Sequence, residues 1–231
     1  MSENTWAGIR ERVLRLAGQP GAGKVFGARG HGFHLGPVMS EEEVRGLETD
    51  LGAGLPAEYR SFLFQVGSGG AGPDYGLMTP APGVDGWRWH GAKLAYPARS
   101  TAAKFAGRPF VAPDLQPELD ALDAEEPDRN AFADDESFSR VYAPWEARYD
   151  ELYDAQEAGA VFLGDQGCGY ASLLVMTGPH QGAVWEDLRP MDEGIKPTGY
   201  GFARWYRNWL ERTEQQLGLT PPMPAPAEEA P

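Results

Sequence analysis

The chain has 231 residues, 42% of them apolar, with seven Trp and ten Phe, enough for one large domain or one domain carrying an insertion. Its 30 Gly and 20 Pro are close to double average usage, so loops must be long or numerous; the lone Cys168 excludes an internal disulfide and fits a reducing cytoplasm. The formal charge of −14 argues against direct contact with nucleic-acid phosphates, and no apolar run reaches the ~20 residues of a membrane span or makes a signal peptide at the N-terminus.

In chain order, "NTWAGIRERVLRLAG" places Trp6, Ile9, Val13 and Leu16 at helical spacing and predicts an amphipathic helix stopped by Gly18. "GQPGAGKV" then comes within one residue of a phosphate-binding loop: Gly18, four residues, Gly23 and Lys24, but Val25 where a hydroxyl should hold Mg²⁺. A helix precedes it instead of a strand, and Gly27, Gly30, Gly32 and Gly36 weaken any helix after it. A helix cap and connecting turn is the better reading.

Ser40 and Glu43 form a capping box for a helix whose apolar stripe is Val44, Leu47 and Leu51, closed by Gly52. Leu55 and Pro56 start a second helix, with Tyr59, Phe62, Leu63 and Val66 as its buried face, ended by "GSGG". "YGLMTP" reads as a short strand, and "GWRWHGAKLAY" as another with Trp87 and Trp89 on one face. From Asp114 to Glu157 the chain holds 15 acidic and three basic residues, a net of −12. Pro113, Pro117, Pro127 and Pro144 punctuate this segment, which reads mostly as a solvated loop holding at most a helical turn or two, resting on the domain through Phe132, Phe138, Tyr142, Trp145, Tyr149 and Tyr153. Strands follow at Ala160–Leu163, Tyr170–Met176 and Ala183–Leu188, then a helix with Phe202, Trp205, Tyr206, Trp209 and Leu210 on one face. The tail "TPPMPAPAEEAP" has no core face and reads as disordered.

"EEVRGLETDLGAGLPAEYRSFLFQVGSGG" resembles the N-terminal signature of SMI1/KNR4 (SUKH-superfamily) domains, an acidic helix followed by L-G-x-x-L-P-x-x-Y/F-r-x-F-L and a glycine turn. The matching positions are Leu51, Gly52, Leu55, Pro56, Tyr59, Phe62 and Leu63, then Gly69 and Gly70. "VFLGDQGCGY", with Gly164, Asp165, Gly167 and Gly169, is similar to the family's later strand–turn–strand pattern, and "AVWEDL" and the Phe202 helix follow in order. The resemblance spans about residues 38 to 212, with residues 1–37 as a helix and Gly-rich connector, the acidic insertion within it, and a Pro-rich tail over 213–231. It implies an α+β fold with helices packed on a mixed, largely antiparallel sheet, and no catalytic centre; the residues themselves give no reason to expect a cofactor or a metal. Bacterial members of the family resemble immunity proteins that silence toxins, and fungal ones regulatory scaffolds.

Residue by residue, chemistry competes with plainer roles. Asp165 reads as a turn residue before a catalytic carboxylate. Cys168, between Gly167 and Gly169, shows no neighbouring base and reads as structural. His31, His34, His90 and His180 have no metal-binding spacing. The sharper reading belongs to the acidic segment. Asp120, Asp123, Glu125, Glu126, Asp128, Asp134, Asp135 and Glu136, interleaved with Phe132, Phe138 and Trp145, suit a surface that steers a basic protein, possible toxin domains included, and buries aromatic anchors against it. The expectation is a cytoplasmic, non-enzymatic binding module of toxin-immunity type. The alternatives are a scaffold without a toxin partner, or an enzyme using the Gly-rich loop or the Asp165/Cys168 turn.

Overall fold

A computed structural model of the chain describes residues 5–84, 86–91 and 106–219. The continuation of the second strand beyond Gly91 and the tail from 220 onward lie outside the described residues.

The fold is α+β. The first helix, α1 (Ile9–Leu16), buries Ile9, Val13 and Leu16 as its spacing predicts. A four-residue helix α2 (Ala28–His31) interrupts the Gly-rich connector. In α3 (Glu41–Leu51), Ser40 N donates to Glu43 Oε2 at 2.7 Å and Glu43 N donates to Ser40 Oγ at 3.2 Å, so the capping box is reciprocal. Gly52 closes α3 at φ +64, the left-handed conformation a side chain would strain. Pro56 stands at the N-cap of α4 (Ala57–Gln65), one place earlier than a first helical residue, with extended ψ that hands the chain into the helix.

Strands β1 (Thr79–Gly83) and β2 (Gly86–His90) form an antiparallel pair. The strand expected at "YGLMTP" starts later, at Thr79; Leu77 instead bridges Gly70 and Gly164 in isolation. Helices α5 (Ala112–Asp123) and α6 (Asp135–Ala155) follow. The main sheet runs β3 (Ala160–Gly167), β4 (Tyr170–Val175), β5 (Ala183–Asp187), β6 (Ile195–Gly201) in that order, every pair antiparallel. Helix α7 (Phe202–Gln216) closes the described chain.

The sheet separates two cores. Val161, Leu163, Leu174, Met176 and Val184 face a large core with α1, α3, α4 and α7. At its centre Phe62 lies 5.2 Å from Trp6, 5.2 Å from Phe202 and 4.9 Å from Tyr206, mostly edge to face. Trp205 and Trp209 belong to this core, the plainer of their two roles. The N-terminal segment contributes Trp6, Val13, Val25 and Phe33 to the same core and so is integral to it. The opposite face, with Phe162, Leu173, Val175 and Trp185, packs on Phe110 and Ala112 at the start of α5.

Two expectations are corrected. The acidic segment is chiefly two helices, α6 alone running 21 residues, where a solvated loop was expected. Pro113 falls in the first turn of α5, where its missing N–H is harmless, and Pro117 and Pro144 are absorbed inside helices whose other contacts compensate. Strand β6 is unanticipated, because Pro197, Gly199 and Gly201 read as breakers; it is the last strand of the sheet, where Pro is tolerated.

Candidate functional site

The acidic segment forms a helical hairpin whose aromatic residues fall in one row. On α6, Phe138, Tyr142, Trp145, Tyr149 and Tyr153 recur at spacings of four, three, four and four, one stripe of the helix. Successive ring centroids lie 4.9, 5.2, 5.3 and 6.1 Å apart, and Phe132 from the preceding loop extends the row at 5.7 Å from Phe138. Trp145 Nε1 donates to Leu122 O at 2.8 Å, pinning α6 to the end of α5. Arg148 ties the same helices by pairing with Glu118 as well as Glu151. The predicted anchors Phe132, Phe138 and Trp145 are therefore half-buried, Trp145 against α5 and the two Phe against each other.

The predicted carboxylates Asp120, Asp123, Glu125, Glu126, Asp128, Asp134, Asp135 and Glu136 are all exposed. Several have local tasks. Asp134 caps α6 by accepting from Ser137 N at 2.8 Å, which holds its carboxyl below the usual range. Asp128 accepts from Asn130 N, Asp135 pairs with Arg129, and Glu136 with Arg140. Asp123, Glu125 and Glu126 have no side-chain partner among the described residues. Neither α5 nor α6 has a basic residue in its last turn, although the backbone carbonyls there already carry negative partial charge. Asp120 and Asp123 in α5, and Asp150, Glu151 and Asp154 in α6, thus oppose the helix dipole.

The base of the hairpin is fastened by a buried cluster. Arg189 donates through Nε to Asp187 Oδ1 and through Nη2 to Asp187 Oδ2, both at 2.8 Å, through Nη1 to Tyr153 O at 2.6 Å, and to Glu157. Its guanidinium stacks 3.9 Å from the Tyr153 ring centroid, continuing the aromatic row. Burial disfavours the Arg189 charge, but the hydrogen bonds and charge of Asp187, with Glu157 behind them, outweigh it and raise the pKa. Beside this cluster lies a cleft of about 100 Å³ lined by Gln116, Asp120, Asp123, Tyr149, Gln156 and Asp192, among others. Sequence reasoning missed Arg189, Gln156 and Asp192, since a buried Arg two residues after its Asp carries no motif.

The other singled-out residues are dispersed. Lys24 is exposed in a short 3-10 turn (Ala22–Lys24), with helix α1 before it and the four-residue α2 after it, not the strand and long helix of a phosphate loop. Asp165 Oδ1 accepts from Gly167 N at 2.7 Å, a turn bond. Cys168 is exposed at φ +53 between Gly167 and Gly169. His31 is buried against Phe33 and Trp209, far in role from the exposed His34, His90 and His180. Among the described residues no three His, Cys, Asp or Glu are grouped to hold a metal ion, and no helix is long and apolar enough to cross a membrane.

The positions that carry the family resemblance differ in burial. Leu51, Leu55, Tyr59, Phe62 and Leu63 are buried in the main core, and Gly164 lies so close to Gly76 O that a Cβ would come within 2.9 Å of it. Comparison of the chain with protein-family models, with curated proteins and with solved structures finds no match.

Proposed function

We propose that this chain is a non-catalytic, cytoplasmic protein-binding module of SMI1/KNR4 type, whose acidic hairpin engages a basic protein, and that the partner is a toxin domain which the chain neutralises by stoichiometric binding. The observation that carries the reading is the α5–α6 hairpin itself: eight exposed carboxylates on a helical scaffold, two of them, Asp120 and Asp123, placed toward the C-terminal end of α5 where they oppose its dipole. Charges kept against local stability are expected where a surface serves binding. A field of this sign steers a basic partner and fixes its orientation, and a rigid hairpin loses little entropy on docking. The immunity role follows from the resemblance of residues 38 to 212, supported by the α+β architecture.

The test compares two baits in native lysate, the parent chain and a variant with Glu125→Gln, Glu126→Gln, Asp135→Asn and Glu136→Gln, which spares the Asp134 cap. The parent should retain a basic protein that the variant releases, and salt should release it from the parent too. That protein, expressed alone, should arrest growth, and co-expression of the parent but not the variant should restore it. An identical bound set on both baits would refute the reading.

A further inference from the structure

The cleft at the base of the hairpin has the size of one side-chain head group; sites for cofactors and drug-sized ligands run to roughly 300–1,000 Å³. Against it lies an amide with an unmet need. Gln156 is fully buried, and its Oε1 has no hydrogen-bond partner among the described residues. Its orientation follows from its neighbours. The Asp120 carboxylate only accepts, so Gln116 must turn its NH₂ toward it, as it does at 2.7 Å. Gln116 Oε1 then accepts from Gln156 Nε2 at 2.9 Å, and the relay ends on a buried acceptor that wants a donor.

The surroundings define the donor. Asp120, Asp123 and Asp192 line the cleft, and neither Asp123 nor Asp192 has a cationic partner among the described residues. Burial, then Asp123, Tyr153 and Asp192, against the opposing charge of Arg189, hold the Tyr149 phenol above its usual range. The cation among the lining residues, Arg189, is already committed to Asp187, Glu157 and Tyr153 O. Tyr149 and Tyr153, whose rings meet at an interplanar angle of 25°, stand in the wall of the cleft.

We propose that this cleft receives a single guanidinium group, the side chain of an arginine carried by the basic protein that the hairpin binds; this rests on the partner-binding reading above. Arginine suits it better than lysine because the acceptors come from separate segments of the chain, Asp120 and Asp123 on α5, Gln156 after α6 and Asp192 after β5. A planar fork of five donors can stack and reach several acceptors at once, where an ammonium acts as a point charge. The fold already holds one guanidinium this way, Arg189 on the ring of Tyr153.

Titration of the full chain with N-acetylarginine amide at low ionic strength tests the idea, read by the side-chain amide resonances of Gln116 and Gln156 and the ring resonances of Tyr149. Saturable shifts are expected, about tenfold weaker for N-acetyllysine amide and lost for N-acetylcitrulline amide, the uncharged isostere. The exposed pair Asp123→Asn and Asp192→Asn should weaken the arginine response about tenfold with the fold intact. Shifts that never saturate, that citrulline reproduces, or that survive the double substitution overturn the proposal. The four-site variant at the hairpin's distal end leaves this cleft untouched. Its failure to release a partner would therefore sink the partner reading, while the arginine response decides the cleft separately.

Discussion

His31 shows how one buried side chain sets a pH response. Its Nδ1 accepts from Phe33 N at 3.0 Å, which leaves the proton on Nε2, buried without a partner. Burial, helped by the nearby His34 charge, lowers its pKa to about 4. The unfolded imidazole takes up a proton near 6.5. The stability this group contributes is therefore complete above pH 6.5, is lost as the pH falls toward 4, and changes no further below. Asp74 acts oppositely. Burial, then Glu186, against the opposing charge of Arg212, raise it to about 6, so the folded state gains stability as the pH falls from 6 toward 3.8. His31→Asn keeps an acceptor for the amide two residues on and cannot titrate, so its melting temperature should fall less steeply between pH 6.5 and 4 than that of the parent. Asp74→Asn, which tolerates the native φ of +53, should fall more steeply. Thermal melts across that range decide both, and parallel curves would show that neither group carries the response. Glu214 supplies a second test at this scale. Fully buried, it takes Arg12 in a fork, Nε to Oε1 at 3.0 Å and Nη2 to Oε2 at 2.6 Å, locking α1 to α7. Glu214→Gln should lower stability in urea by about 3 kcal/mol, near the lower end for a broken buried pair because Arg12 keeps some solvent contact. Adding Arg12→Met to a Glu214→Leu change should restore much of the loss.

At the scale of elements, the hairpin depends on devices that are individually small. Asp134→Ala removes the cap of α6 and should cost about 1 kcal/mol. Trp145→Phe keeps the ring row but deletes the bond to Leu122 O, and should cost a further ~1 kcal/mol, with hydrogen exchange rising first in the last turn of α5. A variant pair that melts like the parent would show that the sheet, and not these contacts, holds the hairpin. The same element marks the limit of what the sequence discloses. The capping box at Ser40, the stripe of α7 and three strands of the main sheet are legible because period and punctuation agree there. In the hairpin they conflict. Pro117, Pro144 and the acidic run signal a loop, while the stripe from Phe138 to Tyr153 signals a helix, and the interhelix contacts of Trp145 with Leu122 O and of Arg148 with Glu118 decide for the stripe. The acidic surface was visible as composition, and the eight carboxylates singled out are exposed, while Glu157 at the end of the run turns inward to Arg189. The cleft was not, because it joins Gln116, Gln156 and Asp192 across three segments that no local pattern connects.

For the whole molecule, the hairpin is both roof and charge reservoir, and these roles can be separated. Leu119 and Leu152 are the hairpin's own buried apolar residues, and Tyr153 O and Glu157 satisfy Arg189, so excising residues 113–157 leaves a buried guanidinium short of partners while Phe110 and Ala112 stay on the sheet. Such a chain should melt well below the parent, because Arg189 keeps Asp187 alone as a partner. Neutralising charge without excision should do the reverse. The chain carries −14, and the four substitutions Glu125→Gln, Glu126→Gln, Asp135→Asn and Glu136→Gln take it to −10 while leaving the roof in place. Because −12 of the parent's charge is confined to residues 114–157, many carboxylates lie within a few Debye lengths of one another, about 10 Å each at 0.1 M salt. Their mutual repulsion opposes the folded state and is screened by added salt. The parent's melting temperature should therefore climb between low salt and 0.5 M NaCl, and the neutralised variant's should start higher and climb less. Sodium sulfate, which also strengthens apolar burial, should raise both further. Equal salt responses in the two chains would mean that the hairpin's own ion pairs, Arg129–Asp135 and Arg148–Glu118 among them, already offset the repulsion. The carboxylates would then be stabilising fixtures of the fold, with no stability forgone to present them to a partner.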